Sequence, residues 1–91
     1  MSKRAKLGER IAQNPKNVSI EDLRTLLEAY GFKLNRTKGS HHSFVGSVGG
    51  RSVLLTIPYR RPLQAIYVKK ALALIAQIET EIEDDQDEDG K

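Results

Sequence analysis

A change of hydrophobic period at Gly31 constrains the fold of this chain more than any other feature. Before it, Leu23, Leu26, Leu27 and Tyr30 recur at three- and four-residue spacing, the repeat of one helical face. After it, Phe32 and Leu34 alternate with Lys33 and Asn35, the two-residue repeat of a strand. The helix start is also written in the sequence. Ser19 can accept from the amide of Asp22, Asp22 can answer back, and Val18 and Leu23 are spaced to pack across the cap. The pattern therefore predicts a helix that begins at Ile20, is ended by a left-handed Gly31, and runs straight into a strand.

The remaining elements follow from turn residues. Gly39-Ser40 turns the chain, His41 to Val48 reads as a second strand, and Gly49-Gly50 supplies the positive φ angles of a two-residue hairpin into a third strand, Arg51 to Ile57. In that strand Val53, Leu55 and Ile57 face the core, while Leu54 is an apolar misfit on the outer face. Pro58 ends it. A basic connection, Tyr59-Arg60-Arg61-Pro62-Leu63, leads to a last helix whose apolar stripe is Ile66, Val68, Ala71, Leu72, Ile75, Ile78 and Ile82. At the other end, Leu7 and Ile11 suggest a short surface helix over 3–13, interrupted by Gly8 and stopped by Asn14-Pro15.

These elements predict an α+β fold: a three-stranded antiparallel sheet packed by helices, in an α-β-β-β-α core with an extra N-terminal helix. One sheet face is covered and the other open. Double-stranded-RNA-binding domains share this order and recognise their ligand by shape and phosphate contacts. The expected organisation is an N-terminal helical extension over 1–17, a domain over 18–82, and an acidic tail over 83–91 that has no apolar residue to bury and is expected to be disordered.

Composition narrows the function. A chain of 91 residues buries a modest core, so a deep enzyme cleft is not expected. Without cysteine there is neither a disulfide framework nor a thiolate metal site, and two adjacent histidines do not supply four zinc ligands. No metal or cofactor is expected. No apolar run is long enough to span a bilayer, and the basic stretch Lys3-Arg4-Ala5-Lys6 is not followed by a signal-peptide core, so a cytoplasmic location is expected. The net charge of +3 divides sharply at Ile78: residues 1–78 carry fourteen basic against four acidic side chains, or +10, and residues 79–91 carry eight acids against Lys91, or −7. A body this basic suits a polyanion, of which nucleic acid is the commonest in cytoplasm.

Candidate chemistry centres on Lys38-Gly39-Ser40-His41-His42-Ser43-Phe44, which holds the chain's only two histidines. Imidazole both takes and gives a proton near neutral pH. On a strand His42 shares a face with Phe44, so it can equally be a partly buried structural residue, and His41 lies on the opposite face. Gly39-Ser40 is a tight turn whose amides can also face a phosphate.

Leu26-Leu27-Glu28-Ala29-Tyr30-Gly31-Phe32, Arg36-Thr37-Lys38-Gly39-Ser40-His41-His42-Ser43-Phe44, Leu55-Thr56-Ile57-Pro58 and Tyr67-Val68-Lys69-Lys70 together resemble the HicA family of toxins, from about Val18 to Ile78. The resemblance implies a double-stranded-RNA-binding-like fold, an mRNA interferase that cuts without a metal, and inhibition by a HicB-type antitoxin. It also implies that the catalytic histidine is His42, with His41 as runner-up. One position departs from the pattern: many relatives carry a further histidine where this chain has Arg60.

RNA cleavage needs a base for a 2′-OH, an acid for the leaving oxygen, and cations for the developing phosphorane charge. Arg36, Lys38, Arg60 and Arg61 are candidates for the cationic role, and Tyr59 can stack a base. The alternatives are a non-catalytic RNA-binding module of the same fold, or an interaction protein whose basic face receives an acidic partner.

Overall fold

The structure, a computed structural model, describes residues 3–89, with side chains described for 4–80. The elements are α1 (Lys3–Gln13), α2 (Ile20–Ala29), β1 (Lys33–Lys38), β2 (His41–Val48), β3 (Arg51–Pro58) and α3 (Ala65–Asp89). The fold is α+β, with a three-stranded antiparallel sheet in the order β1-β2-β3 and the element order of a double-stranded-RNA-binding domain behind an added N-terminal helix.

Both ends of α2 fall where the sequence sets them, with one half of the expected N-terminal capping pair formed. Ser19 has extended backbone and its Oγ accepts from the Asp22 amide at 3.1 Å. The Asp22 carboxylate does not answer back to the cap; it meets Arg10 of α1 at 3.5 Å. At the other end Gly31 takes φ 94°, its N–H donates to the Glu28 carbonyl, and the Phe32 N–H donates to the Leu27 carbonyl at 2.9 Å. This pair of bonds satisfies carbonyls that a bare helix end would leave open, and it turns the chain directly into β1.

The core lies between the helices and one face of the sheet. Leu23, Leu26 and Leu27 of α2, Phe44 of β2, Ile57 of β3 and Val68 and Ala71 of α3 are fully buried, each large side chain contributing roughly 1.5–3 kcal/mol by leaving water. Phe32 lies so close to β2 that a Cβ on Gly46 would come within 2.5 Å of its ring. Leu55 and Ile57 are buried and Leu54 is 63% exposed, as the alternation in β3 requires. Leu63 is buried ahead of α3, and its N–H donates to the Val18 carbonyl at 3.0 Å.

Three expectations need correction. Gly8 does not interrupt α1, which is continuous from Lys3 to Gln13 and buries Ile11. Ile66 is not part of the apolar stripe of α3: it is 59% exposed, because the buried face is set by Val68, Ala71, Ile75 and Ile78, and a residue two places before Val68 points away from it. The strand β1 does not alternate strictly, since its pairing with β2 shifts register between Leu34 and Arg36. The helix α3 is assigned as far as Asp89, but side chains beyond Thr80 lie outside the described residues, as do Gly90 and Lys91, and with them the Ile82 contact and the expectation of a disordered tail. Among the described residues no helix is long and apolar enough to cross a membrane.

The helices are joined by polar contacts near Tyr30. Its hydroxyl donates to Glu79 Oε2 of α3 at 2.6 Å, and the Arg4 guanidinium of α1 stands 4.7 Å over its ring while donating to the Ala29 carbonyl. Burial and the Glu79 carboxylate together push the Tyr30 phenol up to about 12.

Candidate active site

The sheet ends where the Gly39-Ser40 turn enters β2 and Pro58 leaves β3. Gly39 takes φ 59°, and the Ser40 carbonyl accepts from the Tyr59 N–H, which carries the pairing of the two strands one step past Pro58. Tyr59 is thereby fixed beside the start of β2. His42 pairs with Ile57 on one side and Thr37 on the other, and cross-strand partners share a face. His42 therefore faces the helices, on the side of Phe44, and is half-buried at the rim of the core. Its Nδ1 is buried and has no hydrogen-bond partner among the described residues, which leaves Nε2 as the nitrogen open to proton exchange.

Tyr59 stands against this imidazole, with ring centroids 5.8 Å apart and planes tilted by 49°. Its hydroxyl accepts from Arg61 Nε at 2.7 Å. That hydrogen bond, and then the phenol's charge when ionised, push the exposed guanidinium above its ordinary value. Beyond the same tyrosine opens a groove of about 320 Å³, lined by residues 17–22 at the start of α2 and residues 59–62. Arg60 and Arg61 both line it and both are exposed. The Arg61–Pro62 peptide in this wall is cis.

The other expected cations are elsewhere. Strict alternation from Leu34 would set Arg36 and Lys38 on the face of His42. The bulge at Asn35 reverses this: Arg36 pairs with Ser43 and Lys38 with His41, so both project from the open face together with His41. The structure thus divides the set into His42, Tyr59, Arg61 and the Ser40 carbonyl at one corner, and Arg36, Lys38 and His41 across the sheet from them. Thr37, which the sequence did not single out, is the residue the bulge brings onto the His42 face. Nothing in Asn35-Arg36-Thr37-Lys38 signals this, because all four side chains are exposed and none is apolar enough to fix a register.

Among the described residues, no group of three or more His, Cys, Asp or Glu is gathered so that it could hold a metal ion. The arrangement can exchange a proton through one imidazole and hold a negative charge near one or two guanidinium groups.

Comparison with known proteins addresses the sequence as a whole. No curated protein and no solved structure matches the chain significantly. A family model described as the HicA toxin of bacterial toxin–antitoxin matches residues 20–76, from the first residue of α2 well into α3 and across every element that builds the site. With more than half of its length so matched, the chain belongs to the HicA toxin family of bacterial toxin–antitoxin systems.

Proposed function

We propose that this toxin is an endoribonuclease that cleaves mRNA in the cytoplasm with His42 as its proton-transfer residue, without a metal, and that a HicB-type antitoxin inhibits it. The observation that carries the reading is the setting of His42, a half-buried imidazole with a sealed Nδ1 beside the Tyr59–Arg61 pair. A sealed nitrogen directs exchange to Nε2. In the reaction, Nε2 takes the proton of a ribose 2′-OH, the 2′-oxygen attacks the adjacent phosphorus, and the bond from phosphorus to the 5′-oxygen breaks. The products are a 2′,3′-cyclic phosphate and a 5′-hydroxyl, whose proton comes from water because Arg60 stands where many relatives carry a second histidine; the hydroxide left behind takes the proton from the imidazolium and restores neutral His42. Arg60 and Arg61 stabilise the charge on the phosphorane. Gly39, Ser40 and Tyr59 shape the entry to this corner, while Arg36 and Lys38 hold RNA phosphates over the open face.

The second reading, a non-catalytic RNA-binding module, is favoured by one observation: the bulge separates Arg36 and Lys38 from His42. Incubating RNA with the pure protein in EDTA distinguishes them. Cleavage that a His42→Ala protein loses supports the nuclease, and tight binding with intact RNA supports the module. Co-expression with the product of an adjacent antitoxin-like reading frame is expected to restore growth, and persistent toxicity beside a well-expressed neighbour would sink the pairing.

A further inference from the structure

We infer that Tyr59 is a positioning residue that sets two groups at once, its ring orienting the His42 imidazole and its hydroxyl orienting the Arg61 guanidinium. The inference rests on the proposed nuclease reading for its consequence in catalysis, but not for its geometry. Three contacts converge on this one side chain and its backbone: the N–H donates to the Ser40 carbonyl, the ring stands 5.8 Å from the imidazole, and the hydroxyl accepts from Arg61 Nε at 2.7 Å. The first holds the Tyr59 backbone beside the start of β2. The second is within the range of a favourable tilted aromatic pair and covers an imidazole whose buried Nδ1 has no hydrogen-bond partner among the described residues. The third restrains a long exposed side chain that otherwise has many rotamers, and each rotamer frozen in advance is a cost the RNA complex does not meet.

The two halves of Tyr59 separate by substitution. Tyr59→Phe keeps the ring and loses the hydroxyl, so it is expected to lower kcat/KM in the same direction as Arg61→Gln but by less, because the guanidinium is freed and not removed. The double variant is then expected to be no worse than Arg61→Gln alone, because both changes remove one contact. Tyr59→Leu removes the ring and is expected to lower kcat by about tenfold or more, comparable with a misplaced reacting group. The imidazole proton resonances of His42 are read by NMR in the same proteins, after thermal unfolding has shown each to be folded. They should move in Tyr59→Leu and stay in Tyr59→Phe. Additive losses for Tyr59→Phe and Arg61→Gln, or an unchanged kcat and unchanged His42 resonances in Tyr59→Leu, would overturn the inference. If the wild-type protein does not cleave RNA, the nuclease reading fails instead. The positioning role is then decided by the NMR shifts and by the same double-variant comparison applied to RNA affinity.

Discussion

His42 lies opposite Thr37 and not opposite Arg36 or Lys38, although strict alternation along β1 would have paired it with Arg36. The single residue Asn35, accommodated as a bulge, decides which side chains can act together. The proton-transfer candidate and the open-face cations are set on two sides of one sheet, and they are expected to fail separately.

His42→Ala is expected to lower RNA cleavage by about 10²- to 10⁴-fold, the usual contribution of a positioned acid or base, with RNA affinity nearly intact. His41→Ala projects from the other face and is expected to be mild. Cleavage rates and filter binding on proteins of matched thermal stability check both. Wild-type rates in a folded His42→Ala protein, with loss in His41→Ala, would transfer the role to His41.

Lys38→Ala and Arg36→Ala are expected to show the complementary pattern. Each should weaken RNA binding across sequences and reduce the slope of log affinity against log salt by about 1, with kcat at saturating RNA unchanged. Titrations at several salt concentrations read the slope directly.

Two glycines are expected to respond in opposite directions to alanine. Gly46→Ala would drive a methyl to 2.5 Å from the Phe32 ring and is expected to destabilise the protein by about 1–3 kcal/mol, with Phe32→Leu recovering part of the loss. Gly8→Ala meets only Leu26 Cδ1 at 3.7 Å inside a continuous helix, and is expected to stabilise by about 0.5–1 kcal/mol. Urea unfolding measures both.

Stability should also depend on pH through Tyr30. Its phenol is raised to about 12 in the folded protein against 10.0 unfolded, so the native state holds this proton more tightly. The contribution is full below pH 10 and is lost as pH rises from 10 through 12. Tm of the wild type is expected to fall more steeply over that window than Tm of Tyr30→Phe, and parallel curves would show that Tyr30 does not couple to folding.

Much of this molecule was legible in its sequence because the informative residues carry their own conformational rule. Ser19 and Gly31 bracket α2 as capping chemistry requires, Gly49-Gly50 sets the second hairpin, and the exposed Leu54 follows from the alternation of its neighbours. The side of the sheet occupied by His42, with Phe44, was readable for the same reason. What was not readable depended on long-range packing. The bulge at Asn35 sits in a strand with no buried side chain, and the continuity of α1 through Gly8 goes with its packing against Leu26 of α2. The Tyr59–Arg61 pair joins residues two apart in a loop, where no periodicity predicts contact.

The short glycine turns that join the strands have a kinetic consequence. From Lys33 to Pro58 both strand pairs close outward from two-residue turns, and short loops cost little entropy to close. This segment is therefore expected to form the folding nucleus, with α3 docking afterwards through contacts such as Tyr30 with Glu79, 49 residues apart. Losing that hydrogen bond should speed unfolding and leave the refolding rate almost unchanged. The lifetime of the folded toxin is then governed by α3, while the speed at which it appears is governed by the hairpins that precede it.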